Sequence, residues 1–230
     1  MSVFQGRRIN FMATPLEKAR KNPDSMKAKI LQSARKLFGR YGFHGTTTRM
    51  IASDVGIDIS TLYYHWGEKG DLYESVVLDM NEGMRTKLIE VENMIKGRPL
   101  AERLQIAIDE MVEYLFDLPE ISNITIFRYF TKNRHESNFD KRLPEFISDI
   151  AYSMGLSENR AEANASTKMM VLTIINSIHN FVSGESFFLP MLGISRQEYI
   201  DLTKDTVKFF SLSDFLQLEK VREEEKGLAG

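Results

Sequence analysis

The sequence has no cysteine, which excludes disulfide bonds and thiolate metal sites. It also has no long apolar run. The longest, residues 169–182, is interrupted by Asn176, Ser177, His179 and Asn180, so neither a membrane span nor a secretory leader is supported. We therefore expect a protein of the reducing cytoplasm with no membrane partner.

Signatures of catalysis are missing too. The chain contains no G-x-S-x-G, no phosphate-binding glycine loop, no H-E-x-x-H and no carboxylate set at a recognisable spacing. Its four histidines, His44, His65, His135 and His179, lie far apart and have no metal-ligand spacing. The sequence therefore predicts a protein that is not an enzyme, with no catalytic residues, no metal and no cofactor.

The amino-acid composition is that of a globular protein. Of 230 residues, 43% are apolar and 27% are charged, enough for a real core in one large domain or in a small domain followed by a larger one. The net charge is −2, yet residues 1–75 hold 12 Lys and Arg against 7 Asp and Glu, while residues 76–230 hold 18 against 25. Either surface charge clusters here by chance, or the first third of the chain meets a polyanion.

The N-terminal residues show no periodicity, and the first helix follows them. Residues 1–22 contain Gly6, Pro15 and scattered basic side chains without periodicity, and Pro23 follows them, so we interpret them as a flexible basic arm. Asp24 or Ser25 can cap an amphipathic helix whose apolar positions recur across residues 30–41, and Gly42 ends it.

Two shorter helices come next. Threonines at 46–48 can cap a second helix, which stops at Gly56, where glycine permits a tight turn. A third helix begins at Asp58 or Ser60 and ends at Gly67.

Beyond Gly70 the pattern indicates long helices, and no segment alternates as a strand would. The predicted spans are about 70–96, 99–117, 119–132, 139–154, 157–184 and 195–211. Pro144 falls inside one of them, so that helix either starts there or is kinked. The fold class is all-α, and the predicted division is a flexible basic arm at 1–22, a three-helix DNA-binding domain at 23–70, a regulatory and dimerisation domain at 71–215 and a charged tail at 216–230.

The second and third helices have the character of a helix-turn-helix. Two short helices joined by a glycine turn and supported by a preceding helix can place the second one in a major groove. Leu62 and Trp66 lie four residues apart on the face that packs. The opposite face is available for DNA and carries Ile59, Ser60, Thr61, Tyr64 and His65.

At these residues the chain resembles a known family. The stretch "TTTRMIASDVGIDISTLYYHWGEKGDLYESVV" is similar to the DNA-binding segment of TetR-family transcriptional regulators, and the resemblance runs from about Lys27 to Val77. It includes the first helix ending in "FGRYGFHGTT", the "VGI" turn, the "STLYYHW" recognition helix and the "EKGDLY" entry to a fourth helix. The resemblance implies an all-helical homodimer that binds double-stranded DNA through this segment.

The resemblance also implies which residues contact DNA. Arg49 would pair with a guanine edge, Tyr63, Tyr64 and His65 would contact phosphates or thymine methyls, and Lys69 would contact a phosphate. The full predicted set is Thr47, Thr48, Arg49, Ile59, Ser60, Thr61, Tyr63, Tyr64, His65 and Lys69.

Two positions depart from the family pattern, and three have a purely structural alternative. Ile59 replaces a common polar residue and is expected to touch a thymine methyl, while Gly67 replaces a frequent lysine, so affinity leans more on the basic arm. Alternatively, Tyr63 belongs to the core, Arg49 is a solvated charge, and Thr47 or Thr48 only caps a helix.

No motif identifies a function for residues 80–230, and the resemblance supplies the expectation. A small-molecule effector of unknown identity would bind in the helical body. The candidate lining consists of aromatic residues and of polar residues within an apolar helix, each of which can equally belong to a packed core. The candidates are Phe116, Phe127, Phe130, Asn176, His179 and Asn180.

The C-terminal helices are the expected dimer surface, because the resemblance implies a four-helix interface built from them. The helix that contains residues 169–181 is apolar nearly all round, so it is either a core helix of one chain or partly covered by a second copy. The candidates are Met170, Ile174, Ile178, Phe181, Tyr199, Leu202, Phe209 and Phe210.

The predicted function is a ligand-responsive transcriptional regulator, specifically a repressor that binds a palindromic operator as a homodimer and is released by an effector. The alternative is a helical interaction protein whose N-terminal head binds DNA non-specifically or contacts another protein.

Overall fold

The computed structural model describes residues 14–130, 138–159 and 163–211, and within them it contains eleven helices and no strand. The predicted all-α class is therefore confirmed. The helices are α1 Pro15–Lys21, α2 Met26–Gly45, α3 Thr48–Val55, α4 Ile59–Trp66, α5 Lys69–Ile95, α6 Leu100–Asp117, α7 Pro119–Phe130, α8 Asn138–Ser153, α9 Ala165–Ser183, α10 Glu185–Leu192 and α11, residues 196–211.

The chain forms two compact units. Unit 1 contains the residues up to Thr86 together with Leu118–Phe139, and unit 2 contains Lys87–Asp117 together with the residues from Asp140 onward. Helix α7, which the sequence assigns to the regulatory domain, thus belongs to the same unit as α1–α4. The predicted domain limits at 22, 70 and 215 stay predictions.

Part of the predicted flexible arm is helical in the structure, where it forms α1. Thr14 caps it through a reciprocal box, in which the Glu17 N–H donates to Thr14 Oγ1 (3.2 Å) and the Thr14 N–H donates to Glu17 Oε2 (2.9 Å). Leu16 and Ala19 are buried, so two small contacts three residues apart hold a seven-residue helix that periodicity over a longer window does not detect. Residues 1–13 of the predicted arm lie outside the described residues.

An ion-pair network connects four helices of unit 1. Arg20 of α1 donates from Nε to Asp79 Oδ1 of α5 at 2.8 Å, and Arg35 of α2 lies 3.7 Å from the other oxygen of Asp79. Arg35 also pairs with Glu120 of α7 at 3.2 Å. Arg20 is exposed, whereas Arg35, Asp79 and Glu120 are half-buried, so the pairs of Arg35 orient α2, α5 and α7 more firmly than exposed pairs would.

Helix α2 breaks where the sequence predicts its end. Ser25 caps its first turn by accepting a hydrogen bond from the Ala28 N–H, and Gly42 adopts φ 69° and ψ 175°, which interrupts the helical geometry. A further helical turn continues to Gly45. The ring of Phe127 in α7 lies 3.7 Å from the position that a Cβ on Gly42 would take, so α7 packs on the kink.

Unit 2 contains two departures from the predicted spans. The span 157–184 is shorter in the structure, because Asn164 caps α9 by accepting from the Thr167 N–H, and α9 begins at Ala165. Helix α10 was not predicted; Gly184 separates it from α9, and a Cβ there would clash with the ring of Phe188. Pro144 lies within α8, so that helix does not start there.

Among the described helices, none is both long enough and apolar enough to cross a membrane.

Candidate nucleic-acid interface

The turn between α3 and α4 has the predicted geometry. Thr47 caps α3 by accepting a hydrogen bond from the Met50 N–H at 3.2 Å. Gly56 ends α3 in the left-handed region, with φ 77° and ψ 38°, and the Ile57 N–H donates to the Ala52 carbonyl at 2.9 Å. A backbone φ of 77° is strained for a residue that carries a side chain. Glycine at position 56 therefore permits the sharp turn, and only residues 57 and 58 separate it from the start of α4.

The inner face of α4 is fixed to the other helices of unit 1. Leu62 is fully buried and Trp66 nearly so. The Trp66 indole N–H donates to the Lys27 carbonyl at 3.1 Å, and Lys27 Nζ donates to the His65 carbonyl at 2.7 Å. This exchange of hydrogen bonds with the start of α2 fixes which face of α4 points outward.

The outward face of α4 carries the predicted contact residues. Tyr64 is 85% exposed and Tyr63 is 42% exposed, while Ser60 lies one turn before Tyr64 on the same face and is also exposed. Ile59 and Thr61 are half-buried at the edges of this face. The core alternative for Tyr63 does not fit its exposure. An aromatic ring exposed to this degree, on a helix whose other face is buried, is typical of a binding surface.

Helix α3 contributes the adjacent edge. Thr47 is an exposed helix cap, Thr48 is half-buried at the first helical position, and Arg49 is exposed. Capping and phosphate contact are compatible for Thr47, because the hydroxyl accepts from its own helix and can still donate outward.

His65 is less available than its neighbours. Its Nδ1 is buried and has no hydrogen-bond partner among the described residues, and its ring packs edge-on against Tyr64 with centroids 5.2 Å apart. Burial lowers the pKa of His65, and the positive charge of Lys27 lowers it further. Both effects favour the neutral imidazole over the charged one.

Lys69 has a role that the sequence did not predict. Its Nζ donates to the carbonyls of Phe43 (3.0 Å) and Thr46 (3.1 Å), and it lies 4.2 Å from the centroid of the Phe43 ring. Those carbonyls end α2, where a positive charge is favourable. Two of its three N–H donors are thus used within unit 1, so one is left for a phosphate contact at Lys69, which stays a prediction.

Gly67 also has a structural reason for replacing a lysine. It adopts φ 74° and ψ −142°, and a Cβ there would lie 2.8 Å from Asp71 Oδ2, whose carboxylate accepts from the Glu68 N–H. A side chain at this position would strain the backbone and would require the Asp71 carboxylate to move.

The six predicted effector residues are divided between the two units. Phe127 and Phe130 belong to α7 of unit 1 and are 43% and 81% exposed. In unit 2, Asn176 and Asn180 are exposed on one face of α9, whereas His179 is buried. Phe116 is also buried, and its ring packs edge-on against Tyr199 with centroids 5.8 Å apart. This burial fits the core interpretation of Phe116, and a part for it in an effector site stays a prediction.

Burial within the single chain divides the predicted dimer residues. Tyr199 is 2% exposed and donates its hydroxyl to the Phe181 carbonyl (2.9 Å), and burial raises its pKa to about 12. Ile178 is also buried, so both belong to the core of unit 2. Exposed or half-buried are Met170, Ile174, Phe181, Leu202, Phe209 and Phe210.

Exposed apolar residues that the sequence did not indicate lie in α10, which was itself missed. Phe187 is 70% exposed, Met191 65% and Leu192 46%. A short apolar segment that contains Pro190 gave no periodic signal, and only the folded chain reveals its exposure. Among the residues that the structure describes, no cluster of three or more His, Asp or Glu side chains could hold a metal ion.

Comparison with known proteins agrees with this geometry. Residues 30–76, from α2 into α5, match the family model of bacterial regulatory proteins of the tetR family. The biofilm operon icaADBC HTH-type negative transcriptional regulator IcaR of Staphylococcus aureus (strain Newman) is 26% identical over 165 residues, which cover 71% of this chain and 83% of IcaR. The probable HTH-type transcriptional regulator YttP of Bacillus subtilis (strain 168) is 31% identical over 90 residues, 39% of this chain and 44% of YttP.

Solved structures have the same fold at low sequence identity. A TetR-like transcriptional regulator from Rhodococcus sp. RHA1 matches with a TM-score of 0.55 and 14% identity, covering 80% of this chain and 94% of that chain. The transcriptional regulator FadR from Bacillus subtilis, in complex with stearoyl-CoA, matches with a TM-score of 0.58 and 14% identity, covering 80% and 97%. At these identities the likeness concerns the fold.

Proposed function

Because the chain belongs to the TetR family of transcriptional regulators, we propose that it is a ligand-responsive repressor that binds a palindromic operator as a homodimer. The observation that carries the proposal is the orientation of α4: Leu62 and Trp66 are buried while Tyr64 is 85% exposed. A recognition helix with this arrangement can enter a major groove without any change in unit 1.

The proposed DNA contacts divide into positioning and reading. Tyr64 and Ser60 face outward from α4 and are proposed to contact phosphates and base edges, and Arg49 of α3 is proposed to pair with a guanine. Loss of a bidentate arginine contact of this kind costs about 1–3 kcal/mol. Ile59, at the half-buried start of α4, is proposed to touch a thymine methyl.

A homodimer is supported by the apolar surface of unit 2. Leu202 and Phe209 are seven residues apart on one face of α11 and are 49% and 71% exposed, and Phe210 beside them is 67% exposed. Large apolar side chains exposed together on one helix favour a protein partner. A two-fold dimer that sets its recognition helices about 34–36 Å apart would read two half-sites one helical turn apart.

Repression and ligand response are supported by the family and by two relatives. IcaR is named as a negative transcriptional regulator, and FadR was solved with stearoyl-CoA. We propose that this chain likewise represses and that a small molecule bound by unit 2 lowers its affinity for DNA, with a coupling of about 1–3 kcal/mol.

Selection of duplexes from a random pool tests the proposed function directly. The full chain is expected to enrich a palindromic sequence and to bind it roughly 10³-fold or more tightly than a scrambled duplex. Its mass by light scattering is expected to be that of two chains, alone and on DNA. Enrichment of no sequence, with equal affinity for all duplexes, would contradict a specific regulator and favour non-specific DNA binding.

A further inference from the structure

Positive charge is scarce on the helix proposed to enter the groove. Helix α4, Ile59–Trp66, contains no lysine or arginine, and Gly67 follows it. Lys69, the next basic residue along the chain, donates to the carbonyls that end α2. Phosphate contacts dominate the affinity of proteins for DNA, so the cations that flank the C-terminal end of α4 have to come from another part of unit 1.

A lysine at the start of α2 lies at that end of α4, and a lysine of α1 lies near this first lysine. Lys27 reaches the last turn of α4, where its Nζ donates to the His65 carbonyl at 2.7 Å. Lys18 of α1 is close enough to Lys27 for their charges to repel, and this repulsion adds to burial in lowering the pKa of Lys27. Lys21 follows Lys18 by three residues, so both lie on nearly the same side of α1, and both are exposed. We call Lys18, Lys21 and Lys27 the lysine cluster.

Helix α1 is held in a way that leaves its two lysines exposed. Leu16 and Ala19 are buried, and Arg20 pairs with Asp79 of α5 at 2.8 Å. Residues 18 and 20 point about 200° apart around a helix axis, so the pairing of Arg20 with α5 turns Lys18 away from α5. Among the described residues, neither Lys18 nor Lys21 has an ion pair of its own.

Neighbouring ammonium groups without a bound anion are unfavourable, and an anion that contacts both relieves the repulsion. Lys27 uses one N–H on the His65 carbonyl and keeps two, while Lys18 and Lys21 offer their ammonium groups from an already ordered helix. We propose that Lys18 and Lys21, with Lys27 beside them, bind a DNA phosphate that flanks the groove occupied by the C-terminal end of α4.

This inference rests on the proposed function, since it assigns one part of the same DNA interface. It differs in kind from the roles of Tyr64 and Arg49, because phosphate contacts add affinity without reading sequence. Loss of the cluster should therefore weaken binding to every duplex by a similar factor and leave the preference for the enriched duplex unchanged.

The test is the salt dependence of DNA binding by the full chain. Affinities of wild type, Lys18→Gln, Lys21→Gln and Lys18→Arg are measured by fluorescence anisotropy over a range of KCl, on the enriched duplex and on a scrambled one. The matched control is Lys36→Gln, since Lys36 is an exposed lysine of α2 nine residues from Lys27 and hence on the opposite side of that helix. Circular dichroism melts establish that each variant keeps the wild-type fold.

Each lost phosphate contact lowers the slope of log affinity against log salt by about 0.9, so a substitution present in both subunits should lower it by about 2. We expect that change for Lys18→Gln or Lys21→Gln on both duplexes, and wild-type slopes for Lys18→Arg and Lys36→Gln. Slopes for both glutamine variants equal to that of Lys36→Gln would overturn the phosphate site. Equal binding of wild type to both duplexes would instead overturn the proposed operator specificity, and the slopes on the scrambled duplex would still decide the phosphate site.

Discussion

At the scale of single residues, the imidazole of His179 makes the stability of unit 2 depend on pH. Burial lowers the pKa of His179 from 6.5 to about 4. The folded state therefore favours neutral His179. As the pH falls, this histidine binds a proton at a higher pH in the unfolded chain than in the folded one. The stabilisation is fully present above pH 6.5 and is lost as the pH falls toward about 4.

A variant without an ionisable group at residue 179 measures how much His179 contributes to the pH dependence of stability. His179→Gln keeps a hydrogen-bonding side chain but cannot be protonated in this range. We expect the free energy of unfolding of wild type to fall by on the order of 3 kcal/mol more than that of His179→Gln across this interval, measured by urea unfolding at several pH values. Parallel pH profiles for the two proteins would show that His179 is not the group responsible.

Single residues also show where sequence reasoning stops. The turn at Gly56 could be predicted because a short glycine-ended helix needs the left-handed region, and Tyr64 could be predicted because it lies opposite Leu62 on a helix. The partners of Lys69 could not, since they are carbonyls 23 and 26 residues earlier in the chain. The mutual packing of Phe116 and Tyr199, 83 residues apart, was hidden for the same reason.

At the scale of elements, α2 and α7 pack closely against each other in unit 1. A Cβ on Gly39 would lie 2.6 Å from the Cβ and 3.0 Å from the Cα of Glu120, so α7 could approach this closely only at a glycine. Gly42, less than one turn later, packs against Phe127 of the same helix. Helix α7 therefore supports the part of α2 that leads to the cap of α3.

Gly39→Ala should force α2 and α7 apart. Because the obstructing atoms include backbone, we expect a loss of about 1–3 kcal/mol in the free energy of unfolding, together with weaker DNA binding as α3 shifts. The control is Gly70→Ala in α5, where a Cβ meets nothing within 4 Å and alanine favours the helix. Thermal melts of both variants check this, and a Gly39→Ala protein as stable as Gly70→Ala would contradict the close packing.

Helices were predictable to different degrees. Long amphipathic spans such as α5 and α6 were found within a few residues of their ends, because periodicity over several turns is a strong signal. The start of α9 and the existence of α10 were missed. The Asn164 cap is one polar residue among many, and Gly184 separates two segments that are both apolar, so nothing in composition marks the break.

At the scale of the whole molecule, the proposed homodimer depends on the exposed apolar face of α11. Phe209→Glu places a charge at a position that is 71% exposed, so the fold of the chain should tolerate it while a dimer contact should not. Phe130→Glu in α7, at an 81% exposed phenylalanine of unit 1, is the control.

We expect Phe209→Glu to have the mass of one chain by light scattering at concentrations where wild type and Phe130→Glu have the mass of two. Operator affinity should fall with it, because one recognition helix covers only one half-site. A Phe209→Glu protein that remains dimeric would place the dimer surface elsewhere.

The central claim is that the outward face of α4 reads DNA, and one comparison tests it most directly. Tyr64→Ala and Tyr41→Ala each remove one exposed tyrosine, the first from α4 and the second from α2, where it is 43% exposed. The measurement is the ratio of affinities for the enriched and the scrambled duplex. We predict that Tyr64→Ala lowers this ratio by roughly ten- to a hundredfold while Tyr41→Ala keeps it. A folded Tyr64→Ala protein with the wild-type ratio would contradict the account.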